Sequence, residues 1–382
     1  MAALIVFWVS IYVIFYLYLG YPIYISVWAR LFPRPVKKAD ITPSLSLIVL
    51  AHNEAQVIAR KIENALSLDY PKDKLEILIV SDGSIDGTQD IVRSYEARGV
   101  RLLDLTEQVG KSPAVDAGVA AATGEICVLS DANSMYKEDC LRKIVRSFAD
   151  PDVGCVDAVK SIRSADSADI GQSEGLYWKF ESYLKKTESL AGSPPGADGA
   201  CYAIRKSLYI PLTSRIAADD IVTSLRVILQ GKRVIFDPEA VAYEEPAESI
   251  KNEFWRKVRI ASANFQAMTR IPGAFLPFRS KVFHTIWGHK VLRWIIPWFF
   301  VGALIANGFL MSAHPFYYVF FWVQVALHVL SGIALLLQSL GVKHKLLSFP
   351  AFILLTNAAQ VAGLFRWMRG TTQTKWKTVD RE

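Results

Sequence analysis

The stretch from Leu75 to Thr88, LEILIVSDGSIDGT, constrains the fold more than any other part of this sequence. Five of the six residues before Ser81 are apolar, so it reads as a strand covered on both faces, the kind found in parallel sheets flanked by helices. Asp82-Gly83-Ser84 lies at the strand's carboxyl end, and Asp86-Gly87-Thr88 opens a helix. In doubly wound sheets, ligands bind in the crevice beyond such strand ends. A carboxylate there repels phosphate, but it can accept hydrogen bonds from a base or ribose, or help to hold a metal. Alone, the same residues equally fit a plain turn with Asp as helix N-cap.

The neighbouring segments repeat the pattern. Ser44–Leu50 is a first strand ending in Ala51-His52-Asn53-Glu54, followed by a helix to Leu66. After a helix near Gln89–Ala97 comes a short strand, Val100–Leu105, and Gly110-Lys111-Ser112 leads into an alanine-rich helix. Gly124–Leu129 is a fourth strand, ending in Ser130-Asp131-Ala132-Asn133. This alternation predicts an α/β fold with a doubly wound, mostly parallel sheet. Glu54, Asp82 and Asp131 then share one rim, and chance rarely produces that convergence.

Hydropathy sets the surroundings of this domain. Of the 382 residues, 52% are hydrophobic, and Ala2–Trp28 carries no charge over a length that spans a bilayer. It lacks a basic n-region and a small-residue cleavage site, so it reads as a retained anchor. Arg30, Arg34, Lys37 and Lys38 follow it, which places the next segment in the cytoplasm. Further apolar stretches cover Val291–Met311, Phe316–Leu340 and Leu346–Met368. The expected organisation is an anchor over 1–29, a cytoplasmic domain with interfacial helices over 40–280, a membrane region over 281–368 and a cytoplasmic tail over 369–382. Net charge is +7, but no zinc-finger, helix-turn-helix or RNA-recognition signature accompanies it, and a nucleic-acid partner is not expected. The four cysteines lack metal-type spacing and read as buried, reduced thiols.

Taken in order, His52-Asn53-Glu54, Asp82-Gly83-Ser84-Ile85-Asp86-Gly87-Thr88, Gly110-Lys111, Asp131-Ala132-Asn133 and Asp219-Asp220 resemble glycosyltransferase family 2. With its flanking membrane segments, the chain resembles the hyaluronan and chitin synthase type. The resemblance implies a glycosyltransferase A-like fold, with Glu54 and Asp82 at the uridine, Lys111 near the nucleotide, and Asp131 in the D-x-D element that holds the nucleotide-sugar and its divalent ion. Asn133 replaces the second Asp of that element. An amide still offers an oxygen to Mg²⁺ or Mn²⁺, with one negative charge fewer.

Beyond the fourth strand the alternation loosens. Val153–Val159 is a strand, and Ser173–Glu188 a helix with Tyr177, Glu181, Leu184 and Glu188 along one line. The spacing alone equally suits an amphipathic surface helix. By the resemblance, this helix lies at the bilayer interface, and the Gly192–Gly196 loop with Asp198 lines an acceptor pocket, Tyr177 and Asp219 being counted with it. Asp219 and Asp220 open the helix IVTSLRVILQ, where one acid caps and the other is left over. The family pattern makes Asp220 the general base that takes the acceptor hydroxyl's proton during an inverting attack.

Glu248–Arg270 is a two-faced helix that reads as interfacial. Its Arg256 to Ile260 segment aligns with the family's Q-x-x-R-W element, of which only Arg259 is retained. Arg256 and Arg259 are expected near the departing diphosphate. The missing tryptophan leaves processive and single transfer both open. Trp376, Thr378 and Arg381 resemble a W-G-T-x-x-R gating segment over the nucleotide. The expectation is an integral plasma (inner) membrane, metal-dependent enzyme moving sugar from a UDP-sugar to a saccharide or lipid-linked acceptor, in polysaccharide synthesis. Its rivals are a single-sugar transferase acting on a lipid carrier and a catalytically silent export subunit, against which the converging carboxylates speak.

Overall fold

The computed structural model describes residues 1–162, 170–212, 216–245, 249–280, 282–340 and 345–374. Helix α1 (Ala2–Leu31) precedes β1 (Leu45–Ala51), α2 (Ala55–Leu66), β2 (Leu75–Asp82), α3 (Thr88–Arg93), β3 (Val100–Leu105), α4 (Lys111–Ala121) and β4 (Ile126–Asp131). Next come β5 (Met135–Tyr136), α5 (Cys140–Val145), β6 (Val153–Ile162), α6 (Ile170–Ala191), β7 (Cys201–Arg205), α7 (Asp219–Leu229), β8 (Arg233–Glu244) and α8 (Ile250–Arg270). Helices α9 (Phe283–Leu310), α10 (Pro315–Ser339) and α11 (Lys345–Met368) follow.

The strands form one eight-stranded sheet in the order β3-β2-β1-β4-β7-β6-β8-β5. Strands β3, β2, β1 and β4 are mutually parallel, as the alternation predicts, and the register sets Leu50 beside Asp131 and Ala51 beside Ser81. Their carboxyl ends are therefore level. β7 is antiparallel to both β4 and β6, so β6 and β8 run in the direction of β4.

β1 is buried along its whole length because alternate residues serve two cores. Ile48 and Leu50 face α4 and α7 through Val115, Val119, Val222 and Leu225. Leu47 and Val49 face α2 and α5 through Ile58, Ile62, Leu141 and Ile144. Each such aliphatic side chain contributes roughly 1.5–3 kcal/mol when fully buried.

The sequence reading contains neither β5 nor β8. β5 is two residues long, and β8 carries Asp237-Pro238-Glu239 in its interior, where proline cannot donate to a ladder. The sheet accommodates this with a register shift between Ala158 and Val159 of β6.

Four helices are long and apolar enough to cross a bilayer: Ala2–Leu31, Phe283–Leu310, Pro315–Ser339 and Ser348–Met368. The second begins eight residues before the apolar stretch Val291–Met311, because His289, Lys290 and Arg293 are carried inside the helix. These side chains meet α6. Buried His289 sets Nδ1 2.9 Å from Glu188 and Nε2 3.0 Å from Glu181. Arg293 donates to Glu181 at 2.7 Å, and the Tyr21 hydroxyl of α1 donates to Glu188 at 2.5 Å. One staple of charge and hydrogen bonds thus joins α6 to both α1 and α9.

Helix α11 lies along α8 and approaches it closely at Gly363. A Cβ there would stand 2.4 Å from Ala261 Cβ and 2.9 Å from Ser262 N, so the two backbones approach only because Gly363 has no side chain. Stacking of Phe265 on Trp367 at 6.1 Å continues the seam. Gly363→Ala is expected to push α11 off α8 and destabilise the protein by about 1–3 kcal/mol. Thermal unfolding in detergent reads this as a lowered midpoint, whereas Gly332→Ala, with nothing within 4 Å of its Cβ, leaves the midpoint in place.

Candidate active site

The rim is built by loops that hold one another. Asp86 accepts from Ala55 N at 2.9 Å and from Thr88 N at 3.1 Å, and Thr88 Oγ1 accepts from Glu54 N at 2.9 Å. Burial opposes the charge on Asp86, yet these bonds hold its carboxyl below the usual range. Asn53 takes φ 55°, a left-handed conformation uncommon outside glycine, and its Oδ1 accepts from Ile85 N at 2.8 Å. Glu54 is thereby fixed at the start of α2.

Asp82 is fully buried, and its two oxygens accept from Val109 N at 2.7 Å and Gly110 N at 2.9 Å. Gly83 has φ +60°, and a Cβ on it would lie 2.4 Å from Gln108 N. The residue that the resemblance sets at the uridine therefore also anchors the loop that delivers Lys111. A base N–H reaching Asp82 would have to share these oxygens.

Lys111 stands at the start of α4 with Nζ 2.9 Å from Asp131 Oδ1 and 3.6 Å from Asp219 Oδ1. Burial disfavours its charge, but Asp131, Asp219 and Asp220 outweigh that and hold the ammonium above its ordinary value. Asp220 opens α7, its Oδ1 accepting from Ile221 N at 2.8 Å. Burial first, and Asp219's charge second, push its carboxyl up to about 6 against the pull of Lys111. Gly199 shows how closely these groups converge. A Cβ at that position would be 3.3 Å from Asp220 Oδ2, 3.4 Å from Lys111 Nζ and 3.8 Å from Asp131 Oδ2. Its bare backbone leaves the space between them open, a role the sequence reading does not assign.

Lys61 is a second residue missed by the sequence reading. Fully buried on α2, it donates to the Ser134 carbonyl in the loop after Asp131, and its Nζ lies 3.8 Å from the centre of the Tyr136 ring. Burial lowers its ammonium to about 8. Asn64 exchanges two bonds with the Tyr136 backbone, at 2.9 and 2.7 Å, and Ser134 Oγ donates to Glu244 at 2.9 Å. The D-A-N loop thus rests on side chains from α2 and β8. The available signal was a lysine inside the apolar stripe Val57, Ile58, Ile62 and Ala65, where an unpaired charge is rarely kept.

Among the described residues no three His, Cys, Asp or Glu side chains gather as a metal site. Asp131 and half-buried Asn133 nevertheless offer hard oxygen donors at the mouth of the rim. Mg²⁺-like ions need only one or two carboxylates when phosphate oxygens and water complete the shell. The donor set therefore fits a divalent ion that shares its coordination with a diphosphate.

Among the residues that the resemblance sets at an acceptor pocket, Asp198 Oδ2 accepts from Lys185 Nζ at 2.5 Å, and Asp198 N donates to Asp157 at 2.9 Å. Lys185 also reaches Asp157 at 2.8 Å. Burial pushes Asp157 up to about 7, whereas half-buried Asp198 is held low by the Lys185 charge. Tyr177 lies between α6, α9 and α11, accepting from Arg293 at 3.1 Å with its ring 5.7 Å from that of Phe352. Arg256 forks onto Glu253 of its own helix at 2.7 and 2.8 Å. Arg259 is exposed on α8, close enough for its charge to favour ionised Asp219. Gln266 of α8 accepts from Ala217 N at 2.9 Å and so steadies the approach to Asp219. Trp376, Thr378 and Arg381 lie outside the described residues.

A parallel sheet that turns antiparallel after its fourth strand, with acids gathered at its carboxyl rim, is the layout of a glycosyltransferase A-like fold. A mannosyltransferase from Pyrobaculum calidifontis, solved with GDP-Man and Mn²⁺, shares it at a TM-score of 0.72 and 24% identity, over 95% of this chain and 99% of that one. Residues 46–212 match the model of glycosyl transferase family 2. Poly-beta-1,6-N-acetyl-D-glucosamine synthase of Staphylococcus aureus is 25% identical over 273 residues, covering 66% of this chain and 66% of the synthase. The probable glycosyltransferase YdaM of Bacillus subtilis is 25% identical over 288 residues, covering 71% of this chain and 65% of that protein. The matched region is thus about two thirds of either relative's length. Asp219 and Asp220 fall beyond the end of the family match at residue 212, so their place at the rim rests on the geometry.

Proposed function

We propose that this chain is a membrane-integrated, inverting transferase that moves a sugar from a UDP-linked donor to a saccharide or lipid-linked acceptor in polysaccharide synthesis. The observation that carries the reading is the open space at Gly199, bounded by the raised carboxyl of Asp220, the Lys111 ammonium and Asp131. Asp220 takes the proton of the acceptor hydroxyl as that oxygen attacks the anomeric carbon opposite the diphosphate. Asp131 and Asn133 would hold a divalent ion, which supplies charge stabilisation to the leaving group when bound. Lys111 and Arg259 add fixed positive charge on the same side. Lys185 holds Asp198 and Asp157 ionised or hydrogen-bonded beside the acceptor path. The Staphylococcus relative's name and the mannosyl donor in the Pyrobaculum structure support testing N-acetylglucosamine and mannose donors first. Purified protein incubated with a panel of nucleotide-sugars and Mn²⁺, scored for nucleoside diphosphate release and product size, tests the reading; no release with any donor and acceptor would reject it.

A general base must be deprotonated to act. With Asp220 pushed up to about 6, kcat/KM is expected to fall about tenfold per pH unit below 6 and to level off above it. A rate that stays flat from pH 5 to 8 counts against Asp220 as the base.

The proposed organisation sets 1–29 and 281–368 in the inner membrane, with 40–280 and the tail 369–382 in the cytoplasm. Three crossings after the domain would carry the tail to the other side, against the basic residues Arg366, Arg369, Lys375 and Lys377. Helix α11 is the segment that does not cross: Pro350, Asn357 and Gln360 interrupt it, and it lies along α8 at Gly363. In a cysteine-free background, an impermeant thiol reagent on intact cells is expected to label a cysteine at position 314 and to spare one at 376. Labelling at 376 without lysis overturns this topology.

A further inference from the structure

A cavity of about 230 Å³ opens where α1 ends and α9 begins, lined by Arg34, Lys232, Arg233, His284, Asp152 and Ser193 among others. It lies at the amino ends of β6 and β8, whereas Asp131 ends β4. Since these strands run in one direction, the register separates the two places by roughly 20 Å at about 3.3 Å per residue. The cavity is therefore not part of the catalytic rim.

Its charge is mainly positive, with Arg34, Lys232 and Arg233 against Asp152. Arg233 is buried, and among the described residues its guanidinium donates only to neutral carbonyls: Gly192 O at 2.9 Å, Arg34 O at 2.7 Å and Ser189 O at 2.7 Å. Among the described residues neither Arg34 nor Arg233 forms an ion pair, and Asp152 stands 4.0 Å from Lys232. Burial first, and the neighbouring charge of Arg34 second, push the Arg233 guanidinium down from its ordinary value, and Asp150 and Asp152 offset this only in part. Arg34 is exposed at the mouth and Arg233 is buried behind it, so an anion entering the cavity would meet one solvated and one desolvated guanidinium and offset the burial of the second. His284 adds a buried Nε2 with no hydrogen-bond partner among the described residues.

The depth is also marked. His284 opens α9, and its ring meets Tyr24 edge-on at 6.0 Å and leans on Trp28 at 6.1 Å. Tyrosine and tryptophan at the end of an apolar helix sit at the level of lipid headgroups. Basic pockets at that level between membrane helices bind phosphate-bearing heads.

We propose that this cavity binds the phosphate of an anionic lipid headgroup, held by the charges of Arg34, Lys232 and Arg233, with His284 Nε2 as a further partner for a phosphate oxygen. The inference rests on the membrane placement proposed above. It is tested without sugar substrates, so its failure leaves the transferase reading standing. Native mass spectrometry of the detergent-purified full chain would be run with phosphatidylglycerol, phosphatidylcholine and inorganic phosphate as separate arms. Phosphatidylglycerol is expected to bind at least tenfold more tightly than phosphatidylcholine, with Arg34→Gln removing that preference and Arg34→Lys keeping most of it. Lys232→Gln, on the exposed side, is expected to weaken the preference in the same direction and covers the case in which Arg34→Gln does not fold. Equal retention of both lipids, or an unchanged preference in Arg34→Gln and Lys232→Gln, overturns the proposal. Inorganic phosphate binding that displaces the lipid, with the same sensitivity to Arg34, assigns the site to a soluble anion and overturns the lipid.

Discussion

Asp220→Asn is expected to lower turnover at least 100-fold while leaving donor affinity within a few-fold of wild type. The carboxylate accepts one backbone N–H, from Ile221, and presents Oδ2 to the open space beside Gly199. An amide keeps the first contact and loses the second function, because it cannot take a proton at neutral pH. General-base catalysis is worth about 10²–10⁴-fold, so a variant retaining more than about a tenth of the turnover would remove Asp220 from the role. The split between kcat and donor binding separates this outcome from misfolding, which lowers both. The same variant should also lose the fall in rate below pH 6, since the group responsible for it is gone.

For Asp131→Ala the expectation is the reverse pattern: donor and Mn²⁺ binding lost together, each weakened more than tenfold in calorimetry. Asp131 supplies the anion of the D-A-N element and is the 2.9 Å partner of Lys111. Without it, the ammonium is left with Asp219 at 3.6 Å, and a divalent ion meets a lysine and an amide in place of a carboxylate. Because the Asp131 side chain is about one-third exposed and the loop is held from beneath by Lys61 and Asn64, the fold should survive. Normal binding of nucleotide-sugar and Mn²⁺ by this variant would withdraw the metal assignment. Asn133→Asp, which adds a hard anionic ligand, should keep or tighten metal binding.

The sheet's first half was legible because each strand is short, apolar and punctuated by a turn. Val100–Leu105 is found at its expected bounds, and the level ends of β1, β2 and β4 follow from parallel register alone. The other half depends on contacts distant in sequence. β8 hides behind Pro238, and the rim position of Gly199 appears only when α4, β4 and α7 are brought together. Asp82 shows the limit of motif reading. Its position was legible, but its hold on the 109–110 backbone comes from a loop 27 and 28 residues away. Lys61 could have been noticed as a cation in an apolar stripe, although nothing in the sequence says which carbonyl it meets.

The staple that joins Glu181 and Glu188 to His289, Arg293 and Tyr21 has a mechanical meaning. Hinges between a soluble domain and its anchors are usually made of solvated loops, which bend at little cost. Here the joint is buried, so bending would strand carboxylates away from their partners. The carboxylate rim is consequently held at one height over α1 and α9, like a gauge set above a surface. On the proposed reading, an acceptor rooted in the same bilayer would have to bring its terminal hydroxyl to that height, which would make acceptor length a selection criterion.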